Sequence, residues 1–281
     1  MTTIAVEHIT PRLGARIEIP ADRLLDDGVP EQILATLDDR GVLLFPGINV
    51  PDDTLVALSA RMGEMKPARV TADGSSQSEQ GIYRIALDKR EQNHLDYVRG
   101  NDYWHMDGAS YPVPGKATLL KCEVPPASGG ETDFANLYAA YDALPNERKR
   151  TIEGLRVIHC LETAMRRFYH APTDEDIARW NAVFPPTEQP LVWHQKNGRT
   201  SLVIGSTATT IVGMPFESGR ALLDDLLDWC TRDEFTYSHR WQKGDLVIFN
   251  NPGLLHRSRP YDEAAGRVLH RTTLAGHEAF A

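Results

Sequence analysis

Short strand-like segments, separated by turn residues, fill much of the second half of the sequence and constrain its fold most strongly. The stretch PLVWHQKNGRTSLVIG at 190–205 places two apolar runs on either side of a Lys-Asn-Gly turn, which predicts a β-hairpin. Three more strands are predicted near the C-terminus, in FTYSHRW, GDLVIFNN and RVLHRTTLAG. Strands that succeed one another in this way favour a β-sandwich or barrel over a βαβ repeat.

Helices are predicted to flank these strands. Their apolar spacing and end signals place them at 30–40, 51–63, 136–155 with an interruption at Pro145, and 218–232 with Ser218 as N-cap. Earlier strands are predicted at 15–20, 41–47 and 117–124. No linker rich in Pro, Gly or Ser divides the chain, so we expect one domain over residues 1–281, mainly β with flanking α-helices.

The polar, irregular region 65–103 is predicted to be a long loop with a functional role. Its polar side chains are either contacts for a small molecule or part of a solvated loop, and they include Arg84, Lys89, Arg90, His94, Tyr97 and Arg99.

Composition excludes several classes of partner and location. A net charge of −9 argues against a nucleic-acid or anionic-membrane surface. No apolar run reaches the roughly 18 residues of a membrane span, and the N-terminus lacks the apolar stretch of a signal peptide. Cys122, Cys160 and Cys230 are odd in number and widely spaced, which indicates a reducing, cytoplasmic environment without a disulfide framework.

The segment NDYWHMDGAS at 101–110 contains the first candidate metal ligands. In an extended segment, residues i and i+2 face the same side, so His105 and Asp107 can approach one ion. Among the remaining histidines, His256 stands out because it follows a predicted strand and an Asn-Asn-Pro-Gly corner. Two histidines and one carboxylate form the facial triad of non-heme Fe(II) oxygenases. An ordinary half-buried strand pair is the alternative interpretation of His105 and Asp107.

A candidate anion site follows His256 in the sequence. Arg267 and Arg271 lie on one face of the last predicted strand, and buried arginines require anionic partners. Thr132, in the stretch ASGGETDF, can donate a hydrogen bond to the same carboxylate. A pair of surface arginines on an edge strand, and a turn in which Thr132 opens the next strand, are the alternatives.

Taken together, these motifs resemble the TauD/TfdA family of Fe(II)- and 2-oxoglutarate-dependent dioxygenases. The resemblance extends over nearly the whole chain, from GVLLFPG through WHMDGAS, PPASGGETDF, AAYDALP and GDLVIFNN to RVLHRTTLAG. It implies a double-stranded β-helix, the jelly roll of cupin-like proteins, with flanking helices. It also implies oxidation, most simply hydroxylation, of a small organic substrate with O2, and release of succinate and CO2.

The resemblance implies a role for each matching residue. His105, Asp107 and His256 match the iron ligands, and Thr132 and Arg267 match the groups that hold the distal carboxylate of 2-oxoglutarate. Arg271 matches an arginine that meets an acidic substrate, and Asn101 matches an asparagine on the substrate side. The sequence departs from the family's Trp-Asp-Asn-Arg corner with Phe249–Gly253, FNNPG, which alters the pocket wall and a local ion pair.

Several alternatives remain open at this point. The same iron fold also catalyses desaturation, cyclisation or decarboxylation. A zinc or manganese lyase or isomerase would work without 2-oxoglutarate or O2, and a non-catalytic jelly roll would bind a small acid without releasing succinate. The expected partner is a small, anionic molecule, with neither nucleic acid nor membrane, and the family resemblance favours a homodimer or homotetramer.

Overall fold

The computed structural model describes residues 2–66, 81–86, 100–169 and 171–281. Five of the six polar side chains predicted to matter in the 65–103 region lie outside the described residues: Lys89, Arg90, His94, Tyr97 and Arg99. The sixth, Arg84, is described.

The described helices flank a set of β-sheets. They are α1 Val29–Arg40, α2 Asp52–Met62, α3 Leu137–Asp142, α4 Asn146–Ile152, α5 Leu161–Met165, α6 Asp174–Val183 and α7 Phe216–Cys230. The predicted interruption at Pro145 is confirmed, because this residue separates α3 from α4 as the N-cap of α4. The predicted N-cap Ser218 is wrong: α7 begins two residues earlier, after Pro215, whose extended conformation precedes the first turn.

Fifteen strands are described. They are β1 Ala5–His8, β2 Ala15–Glu18, β3 Val42–Phe45, β4 Tyr83–Ala86, β5 Ala117–Val124, β6 Thr132–Asn136, β7 Arg156–His159, β8 Thr187–Pro190, β9 Val192–His194, β10 Thr200–Leu202, β11 Ala208–Ile211, β12 Thr236–His239, β13 Leu246–Asn250, β14 Leu254–Ser258 and β15 Val268–Leu274. The predicted hairpin is confirmed as the antiparallel pair β9–β10. Each other strand predicted from the sequence is also present within the range expected for it.

Two of the sheets position the candidate site. The larger has seven strands in the order β1-β2-β3-β13-β5-β15-β4, and a three-stranded sheet has the order β12-β6-β14. The other described sheets are the three-stranded β11-β7-β8 and the two-stranded β10-β9. Phe134 of β6 packs against Phe249 of β13 with ring centroids 5.2 Å apart, so side chains of the two main sheets meet across the interior.

Strand β5 shows why the sequence folds in this way. Its first six residues are buried, which matches a continuous apolar run covered on both faces. Leu119 packs into a cluster with residues of α1 and α2, whereas Leu120 packs into the cluster that contains Phe134 and Phe249. Helices α1 and α2 therefore cover one face of the large sheet, and the other face packs against β6 and β14.

The predicted loop 65–103 contains a strand that the sequence analysis missed. Strand β4 pairs antiparallel with β15, and its Arg84 lies opposite His270. Because side chains alternate along a strand, Arg84 faces the opposite side of the sheet from Arg271. Arg84 is therefore not directed at the triad.

None of the described helices is both long enough and apolar enough to span a membrane. The longest of the helices that the structure describes is α7, with 15 residues.

Candidate active site

His105, Asp107 and His256, called the triad below, converge at one point. The backbones of His105 and His256 exchange two hydrogen bonds, with N···O distances of 3.0 and 2.9 Å. This is an isolated bridge, followed by a turn at Asp107. The predicted approach of the His105 and Asp107 side chains is confirmed, although only His105 pairs with a neighbouring strand.

His256 occupies the middle of β14, and the prediction that it lies just past a strand end is wrong. The predicted Asn-Asn-Pro-Gly corner lies before β14, since β13 ends at Asn250 and β14 begins at Leu254. The His256 ring packs against Phe249 at 4.6 Å between centroids and lies 6.4 Å from Phe134. Both sheets therefore hold this imidazole in place.

The ligand atoms of the triad all lie within 4.8 Å of one another. Asp107 Oδ1 is 3.7 Å from His105 Nε2 and 3.8 Å from His256 Nε2. The Nδ1 atom of His105 lies 2.8 Å from the carbonyl oxygen of Tyr103. Since a carbonyl only accepts, Nδ1 carries the proton and Nε2 presents its lone pair towards Asp107.

The electrostatics favour the protonation states that bind a metal. Burial lowers the pKa of His105, and burial together with the charge of His105 lowers the pKa of His256 to about 3. Burial opposes ionisation of Asp107, but the charges of Arg271 and the two histidines outweigh it, so the pKa of Asp107 lies well below its ordinary value. At neutral pH the site presents two neutral imidazoles and one carboxylate, a donor set that suits Fe(II).

The second oxygen of Asp107 faces a different environment. Arg271 Nη2 lies 3.2 Å from Oδ2, and the Thr118 hydroxyl donates to Oδ2 across a long 3.5 Å. Asn251 Nδ2 in turn donates to Thr118 Oγ1 at 3.2 Å. Arg271 therefore lies beside the candidate metal position, as its predicted role requires.

A further cation, Lys66, lies near this position. Its backbone N–H donates to the Thr273 carbonyl at 2.8 Å, which places it beside the end of β15. Burial lowers the pKa of Lys66, Asp107 raises it and Arg271 lowers it, with a net result below the ordinary value. No sequence motif marks Lys66 as a site residue, because only the pairing with β15 brings it to the site.

Arg267 lies one residue before β15 and is 5% exposed. Its Nη1 donates to the Gly130 carbonyl at 3.1 Å and to Ser258 Oγ at 2.6 Å, and the guanidinium lies 4.8 Å from the Tyr261 ring. Its Nε is buried without a hydrogen-bond partner among the described residues. Burial lowers the pKa of Arg267, yet a guanidinium stays protonated at neutral pH. This buried cation is suited to an added anionic partner.

Thr132 is the first residue of β6 and is 3% exposed. It pairs with Ser258, the same residue that accepts from Arg267. The structure therefore brings Thr132 and Arg267 to neighbouring positions over the β6–β14 pair, as predicted from the sequence.

Asn101, the remaining predicted site residue, lies beside the same strand. Its backbone carbonyl accepts a hydrogen bond from Ser258 N at 2.7 Å, and its side chain is half-buried. The structure thus places Asn101 close to the site, and its contact with substrate stays a prediction.

The FNNPG corner is held by its own side chains. Asn250 Oδ1 accepts from Gly253 N at 2.9 Å, and the Leu137 N–H donates to the Gly253 carbonyl at 2.9 Å. Asn251 contacts Thr118, as described above. In this chain the corner therefore supports the triad through an amide and a hydroxyl.

A second group of possible metal ligands exists among the described residues: Asp52, Glu123 and His270. Here the Lys121 ammonium forms ion pairs with Asp52 and Glu123, and His270 Nδ1 lies 3.0 Å from Asp52. Because the buried Lys121 already pairs with both carboxylates, this group is suited to an ion-pair network and not to a metal ion.

Comparison with known proteins places this geometry in a family. Residues 5–273 match the family model described as "Taurine catabolism dioxygenase TauD, TfdA family". The chain belongs to the TauD/TfdA family. It is accordingly a dioxygenase, an oxidoreductase whose family uses 2-oxoglutarate, also called α-ketoglutarate.

Individual members of the TauD/TfdA family are similar over nearly their full length. The α-ketoglutarate-dependent 2,4-dichlorophenoxyacetate dioxygenase of Cupriavidus pinatubonensis is 34% identical over 282 residues, covering 96% of this chain and 97% of the relative. The (S)-phenoxypropionate/α-ketoglutarate dioxygenase of Sphingobium herbicidovorans is 32% identical, covering 88% of this chain and 90% of the relative. The crystal structure of AAD-2 in complex with Mn(II) and N-oxalylglycine superposes with a TM-score of 0.89 at 31% identity and covers 100% of both chains.

Proposed function

We propose that the triad holds Fe(II) and that Arg267 and Thr132 hold the distal carboxylate of 2-oxoglutarate. One observation carries this proposal. His256 and Ser258 lie two residues apart on the same face of β14, about 7 Å along the strand, and Arg267 is hydrogen-bonded to Ser258. The candidate metal site and the buried cation are thus spaced for the two ends of a five-carbon dicarboxylate.

The triad supplies a ligand set that suits Fe(II) in an oxygenase. Fe(II) held by these three residues would keep coordination positions available for a bidentate co-substrate and O2. Bound Fe(II) would activate O2 and drive the oxidative decarboxylation of 2-oxoglutarate to succinate and CO2. The chain itself orients the reactants and excludes water from the buried side of the site.

Arg271 and Lys66 support an anionic prime substrate. Arg271 lies beside Asp107, so an anion bound by its guanidinium would be held next to the metal position. The half-buried Lys66 adds a second positive charge near Arg271 and Asp107. The named substrates of the two curated relatives are carboxylic acids. We propose a small carboxylate, sulfonate or sulfate as substrate, and hydroxylation as the outcome.

The architecture supports the same assignment. The seven-stranded sheet and the β12-β6-β14 sheet meet through Phe134 and Phe249, and the site lies between them. We infer that these sheets form a double-stranded β-helix and that residues 1–281 form one domain. A homodimer or homotetramer and a cytoplasmic location stay predictions from the sequence.

The test is succinate release from 2-oxoglutarate by the Fe(II)-loaded protein, with a panel of small acids and their uncharged amide analogues. We expect an acid such as a phenoxyalkanoate to stimulate release, and its amide to be at least 10-fold less effective. Replacing Arg267 with Leu should raise the apparent KM for 2-oxoglutarate, whereas Arg259→Leu, at an exposed position just after β14, should not. Binding of acids with no succinate release would favour a non-catalytic acid-binding protein instead. Turnover without 2-oxoglutarate would favour a lyase or isomerase.

A further inference from the structure

The Thr132 hydroxyl has a buried partner that the sequence analysis did not identify. Trp241 Nε1 donates a hydrogen bond to Thr132 Oγ1 at 3.0 Å. Both residues are almost fully buried, with exposures of 4% for Trp241 and 3% for Thr132. The two residues are 109 positions apart in the chain, so only the fold brings them together.

This contact fixes the direction of the threonine hydroxyl. An indole N–H can only donate, whereas a hydroxyl both donates and accepts. Thr132 Oγ1 must therefore act as the acceptor towards Trp241, and its own proton is left for a different partner. No other hydrogen bond of this hydroxyl occurs within the described residues.

Trp241 is itself held in place from behind. Its ring packs edge-on against His239 at 4.6 Å between centroids. His239 Nε2 lies 3.2 Å from Asp245 Oδ2, and Asp245 accepts from the backbone N–H groups of Gly47 at 2.8 Å and Gln242 at 2.9 Å. The indole therefore cannot turn away from Thr132 without disturbing a buried polar network.

The remaining donors around Thr132 and Arg267 point to the kind of ligand that they can bind. Arg267 contacts Ser258, the strand partner of Thr132, and also the carbonyl of Gly130, two residues before it. The buried Arg267 Nε has no partner among the described residues. A buried N–H and an O–H that are both available to a new partner match the two oxygens of a carboxylate.

We propose that Trp241 is a positioning residue, which orients the Thr132 hydroxyl as a donor to the distal carboxylate of the 2-oxo acid. This inference rests on the proposed function, because it assumes that 2-oxoglutarate binds with that carboxylate at Arg267. It makes Trp241 a determinant of the choice between a dicarboxylate and a short 2-oxo acid.

The test compares two 2-oxo acids on the Mn(II)-loaded protein. 2-Oxobutanoate keeps the metal-binding end of 2-oxoglutarate but lacks the distal carboxylate. We expect Trp241→Phe to raise the Kd of 2-oxoglutarate about fivefold, the loss of one ordinary hydrogen bond, and to leave that of 2-oxobutanoate unchanged. The matched control is Trp229→Phe, since Trp229 Nε1 donates to the Ala140 carbonyl at 2.9 Å and not to Thr132.

A double-mutant cycle with Thr132→Val separates orientation from packing. If Trp241 acts through the Thr132 hydroxyl, Trp241→Phe should have no further effect on 2-oxoglutarate in the Thr132→Val background. Equal losses in both backgrounds, or an equal loss of 2-oxobutanoate binding, would overturn the role of Trp241. A wild-type protein that does not bind 2-oxoglutarate would overturn the proposed function, and this role with it.

An independent measurement covers the case in which Trp241→Phe fails to fold. The chain has five tryptophans, and their indole N–H signals can be followed in ¹⁵N-labelled protein. We expect Thr132→Val to shift one buried indole signal and to reduce its protection from hydrogen exchange, whereas Thr132→Ser should preserve both. If all five signals were unchanged in Thr132→Val, the proposed hydrogen bond would not exist in solution.

Discussion

Arg271 Nη2 lies 3.2 Å from Asp107 Oδ2, while Oδ1 of the same carboxylate faces His105 and His256. The two oxygens of Asp107 therefore serve different neighbours. Oδ1 is directed towards the candidate metal position, and Oδ2 is paired with the cation that we assign to the substrate. This division links the metal ligand directly to the proposed substrate anion site.

Arg271→Gln should weaken the binding of an acidic substrate and leave the binding of 2-oxoglutarate nearly unchanged. We expect the apparent KM for an acidic substrate to rise roughly 10- to 100-fold, since a charge-assisted hydrogen bond contributes about 1.5–3 kcal/mol. The Kd of 2-oxoglutarate should change less than threefold. Steady-state succinate release and isothermal titration measure the two quantities. An unchanged substrate KM would remove Arg271 from the substrate site.

Thr118→Val tests the support of Asp107 from the FNNPG corner. The hydroxyl lies a long 3.5 Å from Oδ2, so we expect Mn(II) affinity to fall only about threefold, below the roughly 10- to 100-fold range for closer outer-sphere partners. Thr151→Val, on exposed α4, serves as the control and should leave affinity unchanged. A loss larger than 100-fold would mean that Thr118 does more than orient the carboxylate.

Gly253→Ala should destabilise the fold at this corner. A Cβ on Gly253 would overlap the ring of Tyr138, whose hydroxyl donates to Gln195 Oε1 at 2.7 Å and limits its movement. We expect a loss of about 1–3 kcal/mol in the free energy of unfolding, the usual cost of overpacking. Urea denaturation measures this loss. Gly63→Ala is the control, because its Cβ would meet nothing closer than Leu274 at 4.0 Å; equal stability of the two variants would contradict the packing at Tyr138.

His159 should make stability depend on pH. Burial lowers its pKa to about 4, opposed by its hydrogen bond to the Val203 carbonyl. Because the unfolded pKa is about 6.5, unfolding takes up a proton between these values, and the folded state loses stability as the pH falls from 6.5 towards 4. We expect this residue to account for a loss of about 2 kcal/mol between pH 7 and pH 5.

His159→Gln provides the measurement for this effect, by urea denaturation at the two pH values. The variant should lose about 2 kcal/mol less than the wild type on acidification, whereas His194→Gln, at an exposed position, should behave like the wild type. Identical pH dependence of wild type and His159→Gln would show that His159 titrates normally in the folded protein.

The sequence predicted those features that depend on local pattern. The apolar run at 117–124 became β5 with unchanged bounds, and the Lys-Asn-Gly turn became the β9–β10 hairpin. The candidate ligands and arginines were found because their residue types and order carry the chemistry. The structure brings His105, Asp107 and His256 together as that chemistry requires.

Features that depend on tertiary contact were missed. The Trp241–Thr132 hydrogen bond joins residues 109 positions apart, and Lys66 reaches the site only because its backbone pairs with β15. Ser218 has the side chain of an N-cap, yet α7 begins at Phe216, with Pro215 in the N-cap position. The N-cap preference of a single residue therefore predicts the start of a helix only where no neighbouring residue occupies the N-cap position.

Mn(II) titration of three proteins tests the central claim most directly, namely that the triad is the metal site. The wild type, Asp107→Ala and Asp52→Ala compare the triad with the second group of possible ligands, in which Lys121 pairs with Asp52. We expect the wild type and Asp52→Ala to bind one equivalent with the same affinity, and Asp107→Ala to bind at least 100-fold more weakly. Wild-type affinity in Asp107→Ala, or its loss in Asp52→Ala, would contradict the account.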